Sequence, residues 1–87
     1  MFDLNNKVVL LTGASGGIGK SIALKMKKSG AKLILSGTRK NVLDEISEEL
    51  GGDNKSIVTD LGSKKSIMEL ANEAETIFGR IDVLINN

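Results

Sequence analysis

The residues with the clearest capacity for chemistry lie in the segment LLTGASGGIGKS, Leu10 to Ser21. From Ala14 the segment fits A-x-x-x-x-G-K-S, a relaxed mononucleotide P-loop in which Lys20 would reach phosphates and Ser21 would bind Mg²⁺. From Thr12 it fits T-G-x-x-x-G-x-G, a glycine turn of the dinucleotide type. Both patterns bind phosphate groups, but they predict different chemistry.

The glycine spacing favours the dinucleotide interpretation. A P-loop turns at a glycine in its first position, and Ala14 disfavours the positive φ that glycine accepts there. In the dinucleotide turn, Gly13 makes the turn after a strand and Gly19 lets the following helix pack closely. Gly16 and Gly17 let the backbone approach a pyrophosphate at the amino end of that helix. The P-loop stays the minority alternative.

The segment SGTRK, after the second apolar run, bears on which dinucleotide is bound. An Asp or Glu about 20 residues after the glycine turn would bind the ribose 2′-hydroxyl of NAD, and this segment has no acidic residue. Arg39 can hold a 2′-phosphate through a forked, charge-assisted contact, and Thr38 adds a hydroxyl group. We therefore predict NADP(H) as the cofactor and leave the role of Lys40 open.

Alternating strands and helices must position these residues. The βαβαβαβ pattern predicts an α/β fold, a Rossmann-type doubly wound parallel sheet with strand order 3-2-1-4. The predicted strands are Lys7–Thr12, Ala31–Ser36, Ser56–Asp60 and Ile81–Asn86. The first helix is predicted over Gly17–Ser29, and the third between a Ser63 cap and Gly79. The apolar faces are Ile18, Ile22, Ala23 and Met26 in the first helix, Leu43, Ile46 and Leu50 in the second, and Ile67, Leu70, Ala71, Ala74 and Ile77 or Phe78 in the third.

The composition limits what these 87 residues can do alone. They include no Cys, His, Trp or Tyr, so thiolate metal sites, imidazole bases and phenol acids cannot come from them. The net charge of +1, from 12 basic and 11 acidic residues, gives no reason to predict nucleic acid or a membrane surface as a partner. We see no signal peptide and no apolar run of membrane-spanning length, and we predict a cytoplasmic location.

Three motifs, in order and at the expected elements, resemble the short-chain dehydrogenase/reductase family. They are TGASGGIG at Thr12–Gly19, DL at Asp60–Leu61, and DVLINN at Asp82–Asn87, which is similar to the start of the family's N-N-A-G motif. Within the family, MFDLNNKVVLLTGASGGIGKSIA and LSGTRKNVLDEI look most like bacterial 3-oxoacyl-[acyl-carrier-protein] reductases. The resemblance implies an NADP-dependent enzyme of fatty-acid synthesis that passes hydride from NADPH to a β-keto thioester on acyl carrier protein.

The resemblance also implies roles for individual residues. The family's active site takes Ser, Tyr and Lys from a region with a Y-x-x-x-K segment, and this chain has no Tyr. We therefore assign no catalytic residue and no metal site. The implied cofactor-binding residues are Gly13, Ser15, Gly16, Gly17, Ile18 and Gly19 at the pyrophosphate and ribose, Thr38 and Arg39 at the 2′-phosphate, Asp60 and Leu61 at the adenine, and Asn86 beside the nicotinamide-side ribose.

These observations lead us to expect that residues 1–87 are the amino-terminal, dinucleotide-binding half of one domain. Its last strand would be an exposed apolar edge, so the isolated chain should be marginally stable or self-associate. For a complete enzyme the resemblance implies a homotetramer. The alternatives to part of an oxidoreductase are a non-catalytic nucleotide-binding or interaction module and, less favoured, a P-loop nucleotide hydrolase.

Overall fold

A parallel sheet with helices on both of its faces forms the framework of the protein. The computed structural model describes residues 3–52, 54–59 and 64–87, and of residues 64–67 it describes the backbone alone. The strand order is β3-β2-β1-β4, and each neighbouring pair is parallel. The predicted α/β fold and its strand order are confirmed. In chain order the elements are β1 (Val8–Thr12), α1 (Gly17–Lys28), β2 (Lys32–Gly37), α2 (Lys40–Leu50), β3 (Asn54–Val58), α3 (Lys64–Phe78) and β4 (Val83–Asn86).

Two apolar clusters cover opposite faces of the sheet, because successive residues of a strand point to opposite sides. The central strands β1 and β2 contribute to both clusters, which explains their continuous apolar runs. Full burial of each Leu, Ile or Val side chain contributes about 1.5–3 kcal/mol. The first cluster, under α1 and α2, contains Val9, Leu11, Ala14, Ala23, Ala31, Leu33, Leu35, Leu43 and Ile46. The second, under α3, contains Val8, Leu10, Ile34, Ile57, Leu70 and Ala74.

The predicted apolar face of α1 is wrong at Ile18. Its side chain is 71% exposed. At the start of α1 it is Gly19, and not Ile18, that faces the backbone of the glycine turn. Farther along the helix, Ala23 is fully buried, and Ile22 and Met26 pack against the first cluster as predicted. Position 18 is therefore available for contacts other than core packing.

The predicted apolar face of α3 is wrong at Ala71, which is exposed. Leu70 and Ala74 are buried, and both Ile77 and Phe78 pack against the second cluster. One residue along a helix rotates the side chain by about 100°, so Ala71 lies on the flank of the face that Leu70 buries.

The third strand begins and ends earlier than predicted. It spans Asn54–Val58 rather than Ser56–Asp60. The polar Asn54 is buried because its amide is satisfied locally: Nδ2 donates to the Gly51 carbonyl at 2.7 Å and Oδ1 accepts from the hydroxyl of Ser47. A strand tolerates a buried Asn when the oxygen and the nitrogen of its side-chain amide both have hydrogen-bond partners. A search for apolar residues alone does not predict such a position.

Other boundaries differ by one or two residues. The fourth strand begins at Val83 rather than Ile81, and the first helix ends at Lys28, with Ser29 as its C-cap. The predicted Ser63 cap and the side chain of Ile67 lie outside the described residues. Within the parts of the chain that the structure describes, no helix combines the length and apolar character needed to cross a membrane.

Candidate functional site

The carboxyl ends of the parallel strands meet at one edge of the sheet, where open α/β sheets bind their ligands. A cavity of about 170 Å³ lies at this edge. It brings together residues from the glycine turn, from the ends of β2 and β3, and from the end of β4. The lining residues are Gly13, Ser15, Ser36, Gly37, Thr38, Thr59 and Asn87.

The turn after β1 is packed too closely for side chains. Gly13 has a φ of +64°, which glycine adopts without strain. A Cβ atom on Gly13 would lie 2.6 Å from the backbone oxygen of Asn87. A Cβ atom on Gly19 would lie 2.6 Å from the Gly13 oxygen and 2.7 Å from Ala14 Cα. The two glycines therefore hold the turn, the start of α1 and the end of β4 in contact.

The amino end of α1 has the properties of an anion-binding backbone. Gly16 is the N-cap, and no side chain caps it. The first N–H groups of a helix have no intrahelical partner, and their dipoles favour negative charge. A Cβ atom on Gly17 would meet nothing within 4 Å, so packing within the protein does not require glycine there. The neighbouring Ile18 side chain is exposed.

The end of β4 is fastened to the start of the glycine turn. Thr12 Oγ1 donates a hydrogen bond to Asn86 Oδ1 at 2.9 Å and accepts the N–H of Asn87 at 3.3 Å. Asn87 Nδ2 donates to the Gly13 carbonyl at 3.0 Å. Because Thr12 engages the amide oxygen of Asn86, the NH₂ group of Asn86 is the part of this side chain that can donate to a ligand.

The two residues predicted to bind a 2′-phosphate stand beside the glycine turn. Arg39 is the N-cap of α2, and its Nη2 donates a hydrogen bond to the Ser15 carbonyl at 2.8 Å. Thr38 lines the cavity, and both side chains are exposed. The structure thus brings Ser15, Thr38 and Arg39 together just beyond the carboxyl ends of β1 and β2.

Two other cations near the turn are paired with acidic residues. Lys40 Nζ lies 2.6 Å from Asp44 Oδ2, one turn along α2, and Lys20 Nζ lies 2.8 Å from Glu49 Oε2. The hydrogen bond from Lys40 is the main cause that lowers the pKa of Asp44. The hydroxyl of Ser21 bonds back to a carbonyl of α1. The P-loop interpretation requires Lys20 and Ser21 to face phosphates, and these contacts disfavour it.

The sequence analysis did not assign four of the cavity residues to the site: Ser36, Gly37, Thr59 and Asn87. Ser36 is 1% exposed, and among the described residues its hydroxyl has no hydrogen-bond partner. Leu11 of β1 pairs with Leu35 of β2, and the next residue on each strand is Thr12 and Ser36, so the same register places Ser36 beside Thr12. A Cβ atom on Gly37 would lie 2.8 Å from Ser15 Oγ. The available signal was a polar residue and a glycine closing a buried apolar run, which marks a close approach of backbone or ligand.

The residues predicted to contact adenine, Asp60 and Leu61, lie outside the described residues. The residue before them, Thr59, lines the cavity and donates its N–H to the Gly37 carbonyl at 2.8 Å. The end of β3 therefore reaches the same edge of the sheet as the glycine turn.

Most of this sequence matches a known protein family. The family described as short chain dehydrogenase matches residues 7–87. The chain belongs to this family. An uncharacterized oxidoreductase of Staphylococcus saprophyticus is 42% identical over 88 residues, covering 100% of this chain and 36% of that protein. One from Staphylococcus aureus strain USA300 is 38% identical over 85 residues, covering 97% of this chain and 37% of that protein. This short-chain dehydrogenase chain thus spans little more than a third of the length of these relatives.

Solved structures share the fold of this short-chain dehydrogenase chain. A short chain dehydrogenase from Mycobacterium smegmatis superposes with a TM-score of 0.92 at 33% identity, covering 100% of this chain and 38% of that one. A 3-ketoacyl-(acyl-carrier-protein) reductase from Brucella melitensis, complexed with NADH, gives a TM-score of 0.86 at 28% identity, covering 93% and 33%. The family membership expected from the motifs is confirmed.

Proposed function

We propose that residues 1–87 bind NADP(H), as the dinucleotide-binding half of a domain that reduces 3-oxoacyl thioesters of acyl carrier protein. The family supports a nicotinamide coenzyme, and the reductase from Brucella melitensis supports the substrate class. The observation that carries the choice of NADP(H) is the position of Arg39. It follows the end of β2, and its guanidinium donates a hydrogen bond to the Ser15 carbonyl.

The residues at the sheet edge fit the phosphates of such a coenzyme. The open space beside Gly17 leaves room for a pyrophosphate against the backbone at the amino end of α1. Arg39 and Thr38 would hold the 2′-phosphate, and the Asn86 amide would donate to the nicotinamide-side ribose. When bound, NADPH supplies the hydride that reduces a carbonyl group. The role of this chain is to bind and orient that coenzyme.

NAD(H) is the competing coenzyme, because the Brucella melitensis structure contains NADH. Proteins that prefer NAD place a carboxylate at the end of the second strand to accept from the ribose 2′-hydroxyl. Gly37 occupies the end of β2 here, and a side chain on it would meet Ser15 Oγ. The cation at Arg39 and the missing carboxylate both favour the phosphorylated ribose.

Proton transfer is not part of the role that we propose for these residues. The sequence has no Tyr or His, the side chains that most often donate or accept a proton near neutral pH. A non-catalytic nucleotide-binding module is therefore the second candidate function. The homotetramer and the acyl carrier protein partner belong to the first candidate and rest on the family resemblance.

Calorimetric titration of the chain with NADP⁺ and NAD⁺ tests the proposal. We expect NADP⁺ to bind about 10-fold more tightly or better, since charge-assisted hydrogen bonds to one phosphate contribute about 1.5–3 kcal/mol. Equal affinities would refute the choice of NADP(H). Both candidate functions predict that the chain binds NADP⁺ without oxidising NADPH, since neither assigns proton transfer to these residues, and absence of binding would refute both. Mg²⁺-dependent ATP binding that Lys20→Ala abolishes would instead restore the P-loop interpretation.

A further inference from the structure

Apolar packing alone defines the position of β4 weakly. Val83 and Leu84 are exposed, Leu84 by 61%, and Ile85 is the β4 residue that packs against the first apolar cluster. A shift of one residue in a strand exchanges its two faces, and such shifts are opposed where one face is well buried. Because β4 buries so little, its register requires contacts other than apolar packing.

Polar contacts at the amino ends of β1 and β4 hold this register. Asp82 Oδ2 accepts the backbone N–H of Val8 at 2.8 Å, and the Asp82 N–H donates to the Val8 carbonyl at 2.9 Å. Arg80 Nε donates to the same carboxylate oxygen at 2.9 Å, and Arg80 Nη2 donates to the carbonyl of Asn6. We call these four residues, Asn6, Val8, Arg80 and Asp82, the amino-end clamp.

The carboxylate of Asp82 takes the place of a backbone acceptor. Continued by one residue, the register of β4 puts Val8 opposite Asp82, and in a parallel pair the Val8 N–H would then bond to the carbonyl of the preceding residue, Ile81. The pairing of β4 with β1 starts only at Val83, and the side chain of Asp82 accepts that N–H instead. Val8 is buried, so water does not readily replace the Asp82 carboxylate as the acceptor for its N–H.

The register held at the amino-end clamp also determines which residues lie at the carboxyl end of β4. Val9 pairs with Val83 at one end of the ladder, and Thr12 pairs with Asn86 at the other. The distance between the two ends is about 10 Å, at about 3.3 Å per residue. If β4 is held in register at Asp82, Asn86 and Asn87 therefore lie beside Thr12 and the glycine turn.

We propose that Asp82, supported by Arg80, is a positioning residue for the coenzyme site, acting on Asn86 and Asn87 through the register of β4. The proposal rests on the proposed function only for the identity of the ligand. Asp82 lies at the opposite end of the strand and does not touch the site itself.

Binding of NADP⁺ by Asp82→Ala and Asp82→Asn variants tests this role. The alanine variant removes the acceptor for the Val8 N–H, and we expect NADP⁺ affinity to fall about 10-fold, the equivalent of about 1.4 kcal/mol. The asparagine variant keeps a carbonyl oxygen at the same place, and we expect its affinity to stay within about 3-fold of the starting protein. Glu75→Ala, which removes an exposed acid of α3, is the matched control and should bind normally.

Amide hydrogen exchange at Gly13 and Asn87 is measured on the same proteins, with and without NADP⁺. The proposal predicts faster exchange of the Asn87 amide in Asp82→Ala and near-normal exchange in Asp82→Asn. If Asp82→Ala does not fold, Arg80→Gln takes its place, because it loosens the clamp and leaves the Val8 contact intact. Normal binding by a folded Asp82→Ala, or no recovery in Asp82→Asn, would overturn the proposal. If the starting protein binds no coenzyme, the proposed function fails, and the exchange rates alone decide the positioning role.

Discussion

Arg39, at the amino end of α2, donates a hydrogen bond of 2.8 Å to the backbone carbonyl of Ser15 in the glycine turn. The contact holds the guanidinium beside the cavity and uses one of its five N–H groups. The carbonyl carries only a partial negative charge, so this contact does not neutralise the guanidinium. A phosphate at this position would find a cation that is already oriented.

Replacing Arg39 should therefore weaken one coenzyme selectively. In Arg39→Ala we expect NADP⁺ to bind about 10- to 100-fold more weakly, from the loss of charge-assisted hydrogen bonds worth about 1.5–3 kcal/mol. NAD⁺, which lacks the 2′-phosphate, should change by about 2-fold or less. Calorimetric titration with both coenzymes measures the difference. Lys40→Ala is the control, because Lys40 is paired with Asp44, and equal losses for both coenzymes would contradict the role of Arg39.

A carboxylate at position 37 should reverse the preference. Its Cβ atom would lie 2.8 Å from Ser15 Oγ, so the substitution needs the double variant Gly37→Asp with Ser15→Gly. The new carboxylate would accept from the 2′-hydroxyl of NAD and repel a 2′-phosphate. We expect the ratio of NAD⁺ to NADP⁺ affinity to rise by about 10-fold or more. Gly37→Asn with the same Ser15→Gly change has the same shape without the charge, and it should leave the ratio nearly unchanged.

Thr12 and Ser36 are neighbours on one face of the sheet, and isosteric changes at the two should have opposite effects on stability. Among the described residues the buried hydroxyl of Ser36 has no partner. Its desolvation costs about 1–3 kcal/mol, so Ser36→Ala should raise the free energy of unfolding by about 1 kcal/mol. Thr12→Val removes the hydrogen bonds to Asn86 and Asn87 and should lower it by about 1–3 kcal/mol. Denaturant unfolding measures both. Destabilisation by Ser36→Ala would show that the hydroxyl has a partner.

The periodicity of the sequence was sufficient to predict the order and type of the elements. The apolar runs of β1 and β2 are buried on both faces, which is the condition under which a continuous run indicates a central parallel strand. Periodicity failed where a polar contact decides the boundary. At Asn54 the amide is satisfied by Gly51 and Ser47, and at Ile81 the carboxylate of Asp82 replaces a ladder bond.

The site was predictable where a motif fixes the backbone and less so where packing decides. The positive φ of Gly13 and the close approach of Gly19 follow from the spacing of the turn. The surroundings of the buried Ser36 hydroxyl depend on the register of β2 against β1, and the space beside Gly37 depends on how closely the side chain and backbone of Ser15 approach it. Neither property is encoded by neighbouring residues in the sequence.

The exposed edge strand β4 makes self-association of the chain a testable expectation. In the sheet of the described residues β4 pairs with β1 alone, and Leu84 is largely exposed. An apolar edge of this kind recruits other strands. We expect the sedimentation coefficient of the chain to rise with concentration and Leu84→Lys to reduce that rise. Met68→Lys, which changes an exposed apolar residue of α3, is the control. A monodisperse starting protein would contradict the expectation.

The stability of the chain should decline in acid, and Asp82 should account for part of the decline. The N–H of Val8, and next the Arg80 side chain, lower the pKa of the Asp82 carboxyl. A carboxyl group whose folded-state pKa lies below its unfolded value of about 3.9 stabilises the protein above that value. Its contribution is lost as the pH falls further, through the folded-state pKa.

Denaturant unfolding between about pH 2.5 and pH 7 measures this dependence. We expect Asp82→Asn to flatten the acid slope, because its amide does not titrate. Asp44→Asn should flatten it further, since the pKa of Asp44 is also lowered, chiefly by Lys40. An unchanged slope in Asp82→Asn would mean that the Val8 N–H binds the carboxyl group equally well in its protonated form.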